Sequence, residues 1–386
     1  MLGDDLLGRI HARAPRYDHD NVFFTEDLEE LIDVGYLRAL VPRQFGGLGL
    51  SLQQVAHEQV RLAMAAPATA LAVNMHLVWT GVAKTLHDRG DDSLDFVLRD
   101  AAAGEIFAFA ISEAGNDLVL FDSTTDARPL PGGGYEFTGT KIFTSLSPVW
   151  TRLGLFGMDT VSADAPKLVH AVVTREAPGI TIAEDWNTLG MRASQSNTTH
   201  LDSVAATSDR VFRRLDPGPS RDSLIFAIFA NFEILISSVY VGIGQRALEL
   251  AVESARARGS RRTGLGRDQD PNVRWRIADA ALAQDALLPQ LDALALDLDT
   301  GVDRGGQWFR ALVGLKSRTT RTARYVVDQA ISIAGGAAFS ATSELSRLYR
   351  DVLAGGFHPS NEDSVHSTVA TALLGPIIED PSTLRP

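Results

Sequence analysis

Apolar residues recur at three- and four-residue spacing over 26–34 and 51–64, the period of a helix that buries one face. Thr25 and Ser51 stand where N-caps belong, each able to accept from an unpaired amide of the first turn. Residues 70–89, with Thr69 as a third candidate cap, are apolar on almost every side, which predicts a helix with little exposed surface. Between the first two helices runs the Gly-rich stretch 41–49. It lacks the strand-then-helix context of a phosphate-binding turn and reads as a structural connection.

The period changes near Ile106. Short β-type runs follow at 107–111, 135–140, 153–156, 168–173 and 199–204, with turn signals at 131–134 and 177–179. Strands this short, with no long helix among them, predict a compact β-barrel or sandwich. After Pro217-Gly218-Pro219 the helical period returns over 224–258, 271–298 and 307–333, and a last helix is expected over 360–374 from Pro359 onward. The expected fold class is mainly α with a central β-barrel. Its parts are a helical domain over 1–106, a β domain over 107–216 and a helix bundle over 217–386.

Composition narrows the chemistry. The 386 residues carry 36 basic and 48 acidic side chains, a net charge of −12, so a nucleic-acid partner, which needs clustered Lys and Arg, is not expected. The absence of cysteine excludes disulfides, thiolate nucleophiles, Cys-ligated zinc and iron–sulfur clusters. Lysines are scarce, only Lys84, Lys141, Lys167 and Lys316, so Schiff-base chemistry has few candidates. Residues 224–244 are apolar over a bilayer-spanning length but include Asn231 and Glu233 and lack the usual flanking anchors. A helix buried on all sides is the better reading, with no membrane span. Acids at Asp4 and Asp5, where a signal peptide would be basic, lead to the expectation of a cytoplasmic protein.

No nucleophile elbow, Walker loop, zincin pattern or strand-linked dinucleotide fingerprint is present. His358, Glu362 and His366 recur every four residues and could share a helix face as a metal site or acid–base cluster. A helix begun by Pro359 leaves His358 outside it, however, and places Glu362 where an acid suits the helix dipole in any case. No metal site is therefore expected. Glu233 is the more unusual residue. It lies in the apolar run 228–236, where a carboxylate must be paired, protonated or facing a cavity. An active-site role and a salt bridge to an arginine of a neighbouring helix both remain open. The remaining histidines show no spacing that forces a role and read mostly as surface or capping residues.

Several segments occur in a telling order. Phe109-Ala110-Ile111-Ser112-Glu113-Ala114-Gly115 precedes Gly139-Thr140-Lys141-Ile142-Phe143-Thr144-Ser145, and Leu189-Gly190-Met191-Arg192-Ala193-Ser194 follows. Later come Gly242-Ile243-Gly244-Gln245-Arg246, Ile331-Ser332-Ile333-Ala334-Gly335-Gly336 and Arg347-Leu348-Tyr349-Arg350-Asp351. Over nearly the whole chain this succession resembles the acyl-CoA dehydrogenase superfamily of flavoproteins. The resemblance implies an N-terminal helical domain, a middle β-barrel and a C-terminal four-helix bundle with FAD at their junction, in a homotetramer or homodimer. It also implies that Phe109, Ile111, Ser112, Phe143, Thr144 and Ser145 bind the flavin, with Phe143 replacing the family's tryptophan. Arg258 would meet the FAD pyrophosphate of a neighbouring subunit, and Gly335-Gly336 would let backbone approach the dinucleotide.

Departures from the family pattern bear on the reaction. The family's usual base, a glutamate shortly after the Arg-Asp signature, would fall at Pro359, and the alternative position on the apolar helix is Phe232, one residue before Glu233. One residue is about 100° of helix rotation. The first expectation is therefore an FAD-dependent α,β-dehydrogenation of an acyl thioester such as an acyl-CoA, with Glu233 as displaced base and an electron-transfer flavoprotein as partner. The alternative is a flavin-dependent monooxygenase of the same fold that takes reduced flavin (FAD or FMN) from a reductase and uses O2, with His358 hydrogen-bonding the activated oxygen or deprotonating the substrate. A catalytically silent binding protein of this fold is the third reading.

Overall fold

The computed structural model describes residues 1–257, 259, 264–375 and 377. Five helices come first: α1 (Asp4–Asp20), α2 (Thr25–Asp33), α3 (Leu52–Ala65), α4 (Pro67–His87) and α5 (Asp95–Ala102). Helix α3 opens with a full capping box, Ser51 accepting from the Gln54 amide and Gln54 accepting from the Ser51 amide. The other two expected caps are displaced. Thr25 is the first residue of α2, after Phe24. Helix α4 starts at Pro67, which has no amide to leave unpaired, so Thr69 lies inside it and donates its hydroxyl to buried Asp27 at 3.2 Å.

Eight strands follow: β1 (Phe107–Ala110), β2 (Asp126–Pro129), β3 (Tyr135–Lys141), β4 (Arg152–Asp159), β5 (Lys167–Thr174), β6 (Ile180–Ile182), β7 (Thr199–Ala206) and β8 (Val211–Leu215). They form one sheet in the order β6-β7-β3-β2-β4-β5-β8, with β1 parallel to β4. Strands β1 and β2 share an edge of β4 end to end, β1 against residues 152–155 and β2 at Met158. The sheet is open, which corrects the expected closed barrel: its edge strands do not pair with each other. They are protected in other ways. β6 is only three residues long, and β8 carries Arg213 and Arg214, paired with Asp222 at 3.2 Å and Asp164 at 2.7 Å.

Helix α4 ties this sheet to the first helices. Trp79 Nε1 donates to Ala108 O at 3.0 Å. His76 Nδ1 accepts the Phe107 amide at 3.0 Å while Nε2 faces Leu37 O at 2.8 Å. That pattern requires a neutral ring protonated at Nε2, and burial pushes its pKa down to about 4. His76 and His170 are thus core residues, where a surface or capping role was expected.

The last part is helical: α6 (Ser223–Ala257), α7 (Pro271–Asp285), α8 (Leu287–Asp299), α9 (Gln307–Ala334), α10 (Glu344–Val352) and α11 (Glu362–Leu374). The run over 271–298 is two helices, broken at Ala286. Pro289 has no amide for the Asp285 carbonyl, so the hydrogen-bond ladder stops there. The final helix starts at Glu362 instead of Pro359, because Asn361 caps it by accepting the Ser364 amide at 3.0 Å. Helix α6 packs against α3, α4 and α9 and is buried along most of its first six turns, which accounts for its membrane-like composition. Its approach to α3 needs a residue without a side chain: a Cβ on Gly242 would sit 2.4 Å from Val60 O.

Candidate functional site

Two loops leave the sheet side by side. One follows β1 through Ile111, Ser112 and Glu113, the other follows β3 through Ile142, Phe143, Thr144 and Ser145. The Ile142 amide donates to Ser112 O at 2.9 Å and joins them. Beneath that joint is a buried ion pair, Lys141 Nζ to Glu113 Oε1 at 2.5 Å. Glu113 also accepts from the hydroxyls of Ser123 (2.7 Å) and Thr125 (2.6 Å), the Thr124 and Thr125 amides (2.7 and 3.1 Å) and Asn116 Nδ2 (3.0 Å). Burial works against its charge, but Lys141 and these donors outweigh burial and hold the carboxyl well below the usual carboxylate range.

The second loop presents the groups that matter next. Phe143 is held at φ 57° with its ring 53% exposed, edge-on to Trp186 at 6.1 Å. Thr144 is fully buried, and its Oγ1 has no hydrogen-bond partner among the described residues. Ser145 Oγ and Ser194 Oγ both meet Ser196 Oγ, at 2.7 and 2.8 Å, which fastens the loop to the 189–196 segment. That segment is fastened in turn to α10. Asp351 accepts the Met191 amide at 2.6 Å, and Arg350 reaches Leu189 O at 3.1 Å and Asp18 at 2.9 Å. A Cβ on Gly190 would fall 2.2 Å from Arg350 O, so glycine is what allows this contact. Ile111 is buried and Ser112 half-buried beside the joint. Phe109 packs elsewhere: its ring stacks on Phe232 of α6 (5.9 Å, 20°) and tilts on Trp79 (5.4 Å).

Glu233 belongs to a second cluster. Its side chain is buried, with Oε1 accepting from Ser360 Oγ (2.9 Å) and the Ser360 amide (3.3 Å). Oε2 has no hydrogen-bond partner among the described residues. No arginine there forms the expected salt bridge with it, and the nearby cation is Lys316 of α9. Lys316 Nζ donates to three backbone carbonyls, Gly355 (2.9 Å), His358 (3.0 Å) and Ser360 (2.6 Å). An ammonium has three N–H groups, so Lys316 influences Glu233 through its charge and through Ser360. Burial pushes the Glu233 carboxyl up to about 7, with Lys316 and Ser360 limiting the rise. Burial pushes Lys316 down to about 8 against the pull of Glu233.

His358 lies on the same loop, its ring tilted on Tyr240 at 5.9 Å. His358 Nε2 and the Tyr240 hydroxyl are both buried without a hydrogen-bond partner among the described residues. Burial, aided by the Lys316 charge, lowers the imidazole to about 3, so it is neutral at physiological pH. Glu362 and His366 take no part in the cluster. Glu362 pairs with Arg321, and His366 Nδ1 faces Glu362 O at 2.7 Å.

The structure thus joins Ser112 to the 142–145 loop and His358 to Glu233, and it brings Phe109 against α6 beside Glu233. Gly335 and Gly336 close α9 nineteen residues beyond Lys316, about 28 Å along the axis, so one chain does not bring them to the Glu233 cluster. Arg258 lies outside the described residues. Reasoning from sequence missed Lys316, Ser360 and Tyr240 as members of the cluster. The available signals were a rare lysine in an apolar run and a tyrosine seven residues, two helical turns, beyond Glu233.

Comparison with known proteins bears on this geometry. The family model for the acyl-CoA dehydrogenase C-terminal domain matches residues 234–362. The L-evernosamine nitrososynthase of a Micromonospora species is 31% identical over 91% of this chain and 84% of its own. The amino sugar nitrososynthase DnmZ of Streptomyces peucetius is 32% identical over 92% and 89%. The chain belongs to the acyl-CoA dehydrogenase superfamily.

Another relative is the isobutylamine N-hydroxylase of Streptomyces viridifaciens, 26% identical over 85% of this chain and 82% of its own. Among solved structures, KijD3 in complex with FMN and dTDP-3-amino-2,3,6-trideoxy-4-keto-3-methyl-D-glucose superposes with a TM-score of 0.82, 28% identity, and coverage of 98% and 93%. Butyryl-CoA dehydrogenase from Megasphaera elsdenii, 18% identical with a TM-score of 0.83 over 97% and 99%, shares the fold. The fold is acyl-CoA dehydrogenase-like, and the chain is a flavin-dependent oxidoreductase. Its own residues fit a flavin at the paired loops. Thr144 Oγ1 is a buried hydroxyl in need of a partner, Phe143 offers a half-open aromatic face, and the Glu113–Lys141 pair holds both loops in place.

Proposed function

We propose that the chain is a flavin-dependent monooxygenase that oxygenates the nitrogen of an amino-bearing small molecule, an amino-sugar nucleotide being the class suggested by its relatives' names. One observation carries the reading: neither position for a dehydrogenase base holds a free acid. At one, the Phe232 ring stacks on Phe109; at the other, Pro359 lies in a loop whose carbonyls bind Lys316. Glu233, the displaced acid, is turned toward Ser360 in a fully buried setting. Acyl thioester dehydrogenation, which needs a base beside the substrate α-carbon, is therefore the less supported of the two readings.

Reduced flavin supplies the electrons for O2 activation when it is bound. The chain's part is to bind, position and keep water out. Thr144 Oγ1, Ser145 and the Ser112 backbone would hold the flavin ring system, with Phe143 as an aromatic face beside it. Phe109, which leads into the first loop, packs with Trp79 and Phe232 in an apolar cluster that would keep water from that side of the site. The neutral His358 ring, held by Lys316 through its own carbonyl, can accept or donate a hydrogen bond without adding charge. Three domains, 1–106, 107–216 and 217–386, make up the proposed unit. FMN delivered by a separate flavin reductase is the proposed arrangement. An FAD-binding form would need Arg258, Gly335 and Gly336 from a neighbouring subunit of a homodimer or homotetramer.

The test mixes the protein with chemically reduced FMN, isotopically labelled O2 and a dTDP-3-amino sugar or isobutylamine. Label in an N-oxygenated product is expected. Anaerobic bleaching of bound flavin by an acyl-CoA, with no label transferred to any amine, would overturn the proposal in favour of dehydrogenation.

A further inference from the structure

Glu233, Ser237 and Tyr240 stand at i, i+4 and i+7 on α6, within about 60° of one another around the helix. All three are buried, and each has a polar atom without a hydrogen-bond partner among the described residues: Oε2, Oγ and the phenol oxygen. His358 Nε2, on the ring tilted against Tyr240, is a fourth such atom. The stretch continues from Tyr240 into α10. Tyr240 packs on the turn that ends α10, where a Cβ on Gly355 would lie 2.8 Å from its ring, and the charge of buried Asp351 acts on its hydroxyl. Arg347, one turn before it and also buried, leaves Nε and Nη2 without hydrogen-bond partners among the described residues, with Glu344 Oε1 3.8 Å from Nη2. Arg347 and Asp351 line a small cleft with Tyr17, Asp18 and Thr69 whose free volume, about 10 Å3, has room for about one water.

Buried polar atoms are met by protein, water or ligand in native structures. Six of them lack a protein partner among the described residues, in one stretch between the cleft and a buried acid. We propose that this stretch is a proton path between the Asp18–Arg347 cleft and Glu233, with Asp351, Tyr240 and Ser237 as its steps. Both acids can gain and lose a proton near neutral pH, since burial pushes Asp351 up to about 6 and Glu233 to about 7. Glu233 faces Lys316 of α9 and Ser360 of the 355–360 loop. Asp351 faces Arg347, Arg350, Asp18 and the Met191 amide.

The use of the path rests on the oxygenation reading. In such a reaction, reduced flavin anion, O2, substrate and one proton give oxidised flavin, oxygenated substrate and water. Two electrons leave the flavin, one oxygen atom joins the substrate, and the other leaves as water with the flavin's hydrogen and the added proton. Glu233 would supply that proton and be reprotonated from the cleft.

Infrared spectroscopy on the flavin-free full chain tests the path itself. After transfer to D2O below the Glu233 midpoint, H/D exchange is followed in the carboxyl band that Glu233→Gln removes. Tyr240→Phe keeps the ring but removes the hydroxyl, and should slow exchange on the order of tenfold. Asp351→Asn gives a second variant with the same expected direction. Exchange as fast in both variants as in the parent overturns the path, whatever reaction the protein performs. Slowed exchange in a protein that transfers no labelled oxygen to amines would support the path and remove the oxygenation reading.

Discussion

Replacing Glu113 by Gln removes the charge opposite Lys141 while keeping the side chain's size. Lys141 is fully buried and would retain Phe156 O, at 2.8 Å, and the face of the Phe156 ring, 4.6 Å from Nζ, but no opposite charge. The amide also offers one acceptor oxygen where the carboxylate receives donors from Ser123, Thr124, Thr125 and Asn116. Breaking a buried pair by removing one partner costs about 3–5 kcal/mol, because the remaining charge is uncompensated. Urea unfolding near neutral pH should show a loss of that size. The double variant Glu113→Gln/Lys141→Met removes the stranded charge and should recover most of it. The dependence on pH has a definite sign. Glu113 is held below its ordinary 4.5, so its contribution is present above that pH and lost as pH falls through its folded value. The gap between parent and Glu113→Gln should therefore narrow in acid. Since the pair underlies the Ser112–Ile142 joint, FMN affinity, read by quenching of flavin fluorescence, should fall in the single variant. A stability loss under about 1 kcal/mol, or a double variant no better than the single, would refute the reasoning.

Two further predictions concern the neighbouring groups. Glu233 holds its proton up to about 7 when folded against 4.5 ordinarily, so its stabilising contribution is complete below 4.5 and lost as pH rises to 7, roughly 3 kcal/mol in all. The parent should lose stability across that window and Glu233→Gln, which can still accept from Ser360, should lose much less; parallel urea titrations with equal slopes would rule this out. Thr144→Val deletes the buried hydroxyl that lacks a protein partner, and should weaken FMN binding about tenfold while leaving the unfolding midpoint unchanged. Unaltered FMN affinity would show that Thr144 does not face the flavin.

What could be read from the chain depended on how local the cause was. The Ser51 cap, the apolar α6 and the strand runs around β3, β4 and β5 are written in consecutive residues, so period and cap chemistry found them. Pro289 is local too, yet its effect was missed because the break falls at Ala286, where the chain continues in helical period on both sides. The open sheet was not legible. Whether it closes depends on a three-residue β6 and a β8 carrying Arg213 and Arg214, neither of which stands out as a strand. The paired loops were legible as motifs, but the pair that holds them, Glu113 and Lys141, joins residues 28 apart in sequence.

Glu233 shows the limit most clearly. Its burial was evident from its neighbours, and the need for a compensating group followed from the energetics of a buried carboxylate. Finding that group from sequence was another matter. The obvious choice was an arginine, the commoner cation here, whereas the structure uses one of only four lysines and routes it through the backbone of a loop. Lys316 donates to carbonyls, which every residue has, so no side-chain pattern in 355–360 marks the contact. The same three bonds carry the loop's chemistry: they fix Ser360 on Glu233 and the neutral His358 ring against Tyr240. An acid held this way is poised to exchange a proton near neutral pH and is not free to reach a substrate α-carbon. That difference separates the proton path from a displaced dehydrogenase base.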